Sequence, residues 1–246
     1  MNSLANDVRE CIRLIKGARS IAALTGAGIS TSAGIPDFRG PQGLYVTRRY
    51  DPEKIFDINC FFRDPKPFYE FAKDFISLED TIQPTFTHKF LSNLEKHGKL
   101  NGIITQNIDS LHQMAGSKKV YEMHGSFWVS HCLDCRKEFS YKEMKDKIIK
   151  EDVPHCGCGG LIKPDVVFFG ENVKYMFESA ELAGEADLFF VIGTSCVVYP
   201  AASIPGYAKG EIVIVNNQEV ALPLDNIVLK VQNDIDNFFS KVSKLL

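Results

Sequence analysis

What the chain lacks narrows its class before any motif is read. No apolar stretch approaches the ~20 residues that a bilayer-spanning helix needs; the longest, such as Leu188 to Ile192 and Ile212 to Val215, are far shorter. The N-terminus carries Asn2, Asn6, Asp7, Arg9 and Glu10 where a secretory leader would be apolar, so a cytoplasmic protein with no membrane partner is expected. An excess of basic residues is missing too. The 28 Lys and Arg against 31 Asp and Glu leave a net charge of −3 and an isoelectric point near 6.1, which argues against a nucleic-acid-coating surface. Glycine and proline are not abundant, 18 and 11 of 246 residues, so collagen-like and low-complexity architectures are excluded and each glycine must be read by position. The seven cysteines are an odd number in a reducing compartment, which excludes a disulfide framework and directs attention to metal.

What is present reads as alternating strands and helices. Short apolar, β-branched runs at Ile21 to Thr25, Gly102 to Thr105, Leu188 to Ile192, Ile212 to Asn216 and Ile227 to Val231 are expected to be buried parallel strands. Helical spacing connects Leu4, Val8, Cys11, Ile12 and Ile15, a pattern stopped at Gly17. It recurs at Phe68, Phe71, Ala72 and Phe75, at Phe90, Leu91 and Leu94, and at Ile235, Phe238, Phe239 and Val242. The expected class is α/β, a Rossmann-like doubly wound parallel sheet whose ligands bind at the carboxyl ends of the strands. Between Ser130 and Pro164 the texture changes, with four cysteines and a basic stretch from Lys142 to Lys150. The expected division is a discontinuous nucleotide-binding domain, residues 1–129 and 165–246, carrying a small zinc-ribbon module, residues 130–164.

Cys132 and Cys135 are followed by Cys156 and Cys158, two close pairs able to surround one Zn²⁺. Four thiolates leave no place for water, so this zinc is structural. Reduced surface thiols, or His131 or His155 replacing one ligand, are the alternatives. Cys11, Cys60 and Cys196 fit no pattern and are expected to be buried small hydrophobes. The first candidate strand runs into Gly26-Ala27-Gly28-Ile29-Ser30-Thr31, a turn tight enough to approach a pyrophosphate with a helix N-terminus behind it. Thr31 stands where the usual dinucleotide fingerprint has a third glycine, and a ligand-free turn is the competing reading. Further on come a Gly/Pro-punctuated loop with Asp37, Phe38 and Arg39, an amide pair and a carboxylate in Gln106-Asn107-Ile108-Asp109, and His124 beside Gly125.

The strings GAGIS…AGIPDFRG, TQNID, MHG, the four cysteines, VVFFGE, GTS and VVYPAA, in this order, resemble the sirtuin family of NAD-dependent protein deacylases, with wording nearest its bacterial deacetylases. The resemblance covers roughly Ala22 to Asp234. It implies that NAD⁺ is a co-substrate held by Ala27, Thr31, Phe38, Arg39, Gln106, Asn107, Ile108, Asp109, Thr194, Ser195, Asn216, Asp234 and Ile235. Arg39 would face the diphosphate, Phe38 would shield the ribose anomeric carbon, and Asn107, Ile108 and Asp109 would form the nicotinamide pocket. His124 would be the catalytic general base on the ribose hydroxyls, an imidazole being suited to that task near neutral pH. Val167, Phe169, Gly170 and Glu171, with Val198 and Tyr199, would be extended edges that receive an acetyl-lysine peptide as an added strand.

The implied reaction transfers acetyl from protein lysine to ADP-ribose, releasing nicotinamide and O-acetyl-ADP-ribose, and the enzyme is expected to act as a monomer on acetyl-lysine proteins or peptides. Relatives that prefer acidic acyl groups carry Tyr-x-x-Arg, whereas here Tyr69 is followed by Ala72, so a neutral acyl group is favoured. On this reading an arginine at position 72 would pair with Tyr69 to admit a succinyl group. The rival readings are a mono-ADP-ribosyltransferase and a non-catalytic NAD-sensing or zinc-ribbon protein.

Overall fold

A computed structural model describes residues 3–37, 50–79 and 81–246. The chain forms two compact units, residues 1–35, 83–123 and 175–246 in the first and 36–82 and 124–174 in the second.

The first unit is built on six strands: β1 (Ile21–Thr25), β2 (Leu100–Thr105), β3 (Val120–Glu122), β7 (Leu188–Ile192), β8 (Glu211–Asn216) and β9 (Ile227–Gln232). Their order is β3-β2-β1-β7-β8-β9, and every pairing is parallel. From β1 the chain moves outward in one direction through β2 and β3 and in the other through β7 to β9. The order therefore reverses between β1 and β7, and a doubly wound sheet opens its ligand crevice at such a point.

Both faces of the central strands are covered, which is why β1 and β7 are buried at every residue and read as unbroken apolar runs. Ala23, Ile103, Phe190 and Val213 share a core with α1 (Ser3–Gly17), α5 (Phe86–Lys96) and the closing helix α9 (Ile235–Leu245). Helix α8 (Met176–Glu185) packs against β1 and β2 and against a 3₁₀ segment, Ala201–Tyr207. Strand β3 escapes the sequence pattern because it is a three-residue edge strand, half-buried throughout.

Among the described residues the second unit joins an antiparallel sheet, β5-β4-β6, to four helices. Its strands are β4 (Gly125–Cys132), β5 (Glu138–Ser140) and β6 (Ile162–Val166). The helices are α2 (Pro52–Ile55), α3 (Ile58–Arg63), α4 (Lys66–Glu79) and α7 (Tyr141–Lys150). Phe68 of α4 lies 4.9 Å from Phe168 and stacks 6.2 Å from Phe127 of β4, while Phe61 of α3 lies 5.2 Å from Phe168. This aromatic packing makes one body of residues 36–82 and 124–174, so the expected module 130–164 lies inside a larger unit. Helix α6 (Leu111–Met114) belongs to the first unit.

Candidate active site and metal centre

The carboxyl ends of β1 and β7 meet main chain to main chain. Gly26 and Gly28 donate their N–H groups to Ile192 O at 3.0 Å and Gly193 O at 2.8 Å. A Cβ on Gly26 would stand 2.7 Å from Thr194 Cβ, and one on Gly28 2.9 Å from Gly193 Cα. Gly193 itself has φ +63°, and a Cβ there would come within 2.5 Å of Ile29 N. The glycines thus have a packing role at the crevice in addition to any approach to a ligand. The expected helix N-terminus is replaced by two 3₁₀ turns, Ala27–Ile29 and Thr31–Ala33, because Ser30 N–H closes the first on Ala27 O and the left-handed Gly34 closes the second on Thr31 O. Ala27 and Thr31 are half-buried on these turns, and Thr31 Oγ1 donates to Gly28 O at 3.0 Å.

The segment after β2 closes onto this turn. Asn107 is buried, its Nδ2 donating to Gly26 O and Ser30 Oγ, both at 3.2 Å. Ser30, fully buried, donates to Asp109 Oδ2 at 2.6 Å, and Leu111 N–H donates to Asp109 Oδ1 at 3.0 Å. Burial is the largest influence on the Asp109 carboxyl and holds it above the usual carboxylate range, against the lowering effect of those hydrogen bonds. Gln106 Nε2 reaches Thr194 Oγ1 at 3.0 Å, tying the β2 end to the β7 end. Ala27, Thr31, Gln106, Asn107, Asp109 and Thr194 are therefore one hydrogen-bonded neighbourhood, with Ile108 half-buried among them and Ser195 exposed beside Thr194.

Farther along the same edge, Asn216 ends β8 and its Nδ2 donates to Gln218 O at 3.0 Å. Asp234 caps α9, accepting from Asn237 N–H at 2.7 Å, and the side chain of Ile235 is spent in the core. Phe38 and Arg39 lie outside the described residues.

Sequence reasoning missed a buried polar chain behind this neighbourhood. Asn107 N–H donates to Thr105 Oγ1 at 3.1 Å; Thr105 Oγ1 lies 2.9 Å from Thr25 Oγ1, which lies 2.9 Å from His112 Nε2. The His112 ring stands 4.6 Å from that of His88, and both are buried. His88 occupies the third position of α5 and accepts the Thr85 N–H at Nδ1, completing a capping box, with Thr85 donating in turn to Ile29 O. Burial lowers both imidazoles, His88 to about 4, so both rings are neutral at physiological pH. A threonine three residues before a histidine at a helix start was the available signal.

In the second unit His124 is half-buried just before β4, and its carbonyl accepts the Val167 N–H at 2.8 Å. Gly125 has φ +68°, and a Cβ there would fall 1.8 Å from Asp165 O, so the residue after His124 must be glycine. Val166 and Phe168 are in the core, Val167 is half-buried, and Phe169 and Gly170 are exposed. Among the described residues, only Phe169 in Val167 to Glu171 is paired as a strand, in an isolated parallel bridge with Asp57. β6 ends at Val166, and Phe168 to Glu171 is a turn closed by Glu171 N–H on Phe168 O at 3.0 Å. Val198 and Tyr199 of the first unit likewise lie in a bend and turn, Tyr199 exposed, because Val198 O accepts the Ala202 N–H that opens the 3₁₀ segment. Tyr69 is not available to an acyl group, since it is buried and donates its hydroxyl to Ile162 O; Ala72 is fully buried.

The sulfur atoms of Cys132, Cys135, Cys156 and Cys158 all lie within 4.8 Å of one another. Cys132 Sγ is 3.6 Å from Cys158 Sγ, and Cys135 Sγ is 3.7 Å from Cys156 Sγ. A tetrahedron with Zn–S bonds of ~2.3 Å has edges of about 3.8 Å, so the four residues fit one zinc ion with no position left for water. Of the leftover cysteines, Cys11 and Cys196 are buried as expected, whereas Cys60 is half-buried with Arg63 donating to its sulfur at 3.2 Å.

A family model described as the Sir2 family matches residues 26–200. The NAD-dependent protein deacetylase of Thermotoga maritima is 43% identical over 242 residues, 96% of each chain, and that of Sulfurisphaera tokodaii is 47% identical over 221 residues, 88% of this chain and 86% of the relative. A solved Sir2–p53 peptide–NAD⁺ complex superposes with a TM-score of 0.88 at 40% identity, covering 97% of this chain and 98% of the other. A Sir2 structure bound to acetylated peptide gives 0.86 at 39% identity, with the same coverage.

Proposed function

The chain belongs to the Sir2 family, and on that premise we propose that it removes acetyl groups from protein lysine in an NAD⁺-dependent reaction. It is an NAD-dependent protein deacetylase with NAD⁺ as co-substrate and one structural zinc held by Cys132, Cys135, Cys156 and Cys158. When bound, the zinc crosslinks the two cysteine turns of a module with little core of its own. The observation that carries the reading in this molecule is the Ser30–Asn107–Asp109 cluster at the carboxyl ends of β1 and β2, beside the point where the strand order reverses: a half-buried acceptor and a fixed amide at the expected ligand crevice.

In this proposal Asp109 accepts from the nicotinamide carboxamide while Asn107 fixes its orientation. Gln106 holds the ribose hydroxyls, Ala27, Thr31 and Arg39 the diphosphate, and Thr194, Ser195, Asn216, Asp234 and Ile235 the adenosine end. For Asp234 and Ile235 contact falls to the backbone, because the side chains are the α9 cap and core. Ile108 and Phe38 wall the site against water. His124 takes a proton from the ribose hydroxyl that accepts the acetyl group. Val167, Phe169, Gly170 and Glu171, with Val198 and Tyr199, receive the acetyl-lysine peptide. Among the described residues no helix is long and apolar enough to cross a membrane; we place the enzyme in the cytoplasm, acting as a monomer.

The test is incubation of the zinc-loaded protein with NAD⁺ and an acetyl-lysine peptide. Nicotinamide, O-acetyl-ADP-ribose and free lysine are the expected products. His124→Ala should lose on the order of 10²–10⁴-fold in rate, the worth of a positioned base, while still binding NAD⁺. ADP-ribose accumulating on protein without peptide deacetylation would establish the transferase instead, and absence of nicotinamide release would leave only a binding protein.

A further inference from the structure

Phe169, at the tip of the turn after β6, has both main-chain groups engaged, its N–H with Phe56 O at 2.6 Å and its carbonyl with Ile58 N–H at 3.1 Å. Val167 N–H is engaged with His124 O. Main-chain pairing with a peptide therefore falls to Val167 through its carbonyl and to Gly170. Those groups are useful only if the turn is held at one angle, because added-strand recognition depends on hydrogen-bond direction.

The turn is held by an ion pair between the buried Lys163 and Glu171, whose side chain keeps 33% of its surface exposed. Lys163 in β6 is 8% exposed, and its ammonium donates to Glu171 Oε2 at 2.8 Å and to Val166 O at 2.7 Å. It also stands 4.1 Å from the centre of the Phe168 ring, a cation–π distance in a largely dry setting. The same Glu171 oxygen accepts the Phe168 N–H at 2.8 Å. Gly170, φ +95°, has the left-handed backbone that the third position of such a turn requires. Two residues farther along β6, Asp165 pairs with Lys174, so the segment is buttoned at a second point. Burial pulls the Lys163 ammonium below its ordinary range while Glu171 pushes it back up, the balance expected of a charge kept in place by its partner.

We propose that Lys163 and Glu171 are positioning residues for the acyl-lysine peptide, a clasp anchored on the buried Lys163 that fixes the Val166–Gly170 backbone in the shape that receives substrate. The inference rests on the deacetylase reading and changes one part of it: the Glu171 side chain serves as an internal strut. Lys163 is invisible to a motif search because it precedes the recognisable string and touches no substrate.

The test measures binding of a fluorescently labelled acetyl-lysine peptide by the full zinc-loaded chain, together with KM for peptide and for NAD⁺. Lys163→Met and Glu171→Gln should each weaken peptide binding by about tenfold or more, within the range that misplacing a bound group by about 1 Å can cost, with KM for NAD⁺ unchanged. Lys163→Arg, which keeps the charge and can reach both acceptors, should restore most of the affinity. If Lys163→Met fails to fold, Glu171→Gln decides alone, since it keeps the volume and the acceptor for Phe168 N–H. Peptide affinity unchanged in Glu171→Gln, or both KM values rising together, overturns the clasp. A wild-type chain that binds peptide yet never deacetylates it would instead overturn the catalytic reading, with the clasp still tested by affinity.

Discussion

Acid should loosen this protein through His88 in particular. The ring is fully buried at the third position of α5, where Nδ1 accepts the Thr85 N–H. Charging it puts a proton on Nδ1, which removes that acceptor, opens the capping box and places a cation in the core. Asp236 on α9 partly favours the charge, and a charged His88 in turn opposes protonation of His112, 4.6 Å away on α6. Burial is nevertheless the dominant influence, and the pKa falls from 6.5 to about 4. A group depressed in the folded state contributes stability that is complete above its unfolded value and is lost as the pH falls through its folded value. The window is therefore pH 6.5 down to about 4. At ~1.4 kcal/mol for each factor of ten in the proton equilibrium, the loss is roughly 3 kcal/mol. His112 adds a contribution of the same sign. The assay is urea unfolding across that window for the wild type and for His88→Gln, whose side chain keeps an acceptor suited to the box but does not titrate. With a denaturant slope of about 3 kcal/mol per molar, the wild-type midpoint should fall by roughly 1 M more than the variant's. Metal loss in acid affects both proteins and cancels in the difference. Parallel curves for the two would refute the argument.

Four further outcomes are expected. Elemental analysis should find about one zinc per chain, and Cys135→Ser or Cys158→Ser should unfold or aggregate the protein because the metal supplies folding free energy directly; a metal-free chain melting at the wild-type temperature would refute this. Asp109→Asn should slow nicotinamide exchange by about tenfold or more, the worth of a hydrogen bond to a charged group, and unchanged nicotinamide inhibition would count against the placement. Acetyl-lysine should be processed on the order of 100-fold faster than succinyl-lysine on one peptide, since an unpaired carboxylate leaving water costs several kcal/mol. Because Ala72 is fully buried and the Tyr69 hydroxyl is committed to Ile162 O, Ala72→Arg should lower the melting temperature without gaining succinyl activity, and a stable, succinyl-active variant would show that the helix can yield there.

The parallel strands were legible because burial on both faces leaves an unbroken apolar run, and Ile21–Thr25 and Leu188–Ile192 carry their boundaries in composition alone. Val120–Glu122 was not, because a half-buried edge strand of three residues has no period to detect. The metal site could be read from spacing, since thiolate geometry fixes how far apart the pairs may fall. Gly26, Gly28 and the Gly193 of the GTS string were legible as motif residues, but their mutual contact was not, because strand ends 165 positions apart leave no local trace of meeting. His88, His112 and Lys163 went unread for a related reason. A polar residue buried by distant neighbours looks like any surface residue until those neighbours are known.

The meeting of Gly26 and Gly28 with Gly193 and Thr194 gives the crevice a floor made of main chain. Such a floor has no rotamers to shuffle, so its shape cannot drift with side-chain choice and cannot be tuned by it either. In a saturation library every replacement at these three glycines forces one strand end off the other, and even alanine is already too large. Altered co-substrate preference would have to be sought at the rim, at residues such as Thr31, Ser195 or Asn216, whose side chains can change without moving backbone. The rim is where such an enzyme can diversify, and the floor is what all its variants must inherit.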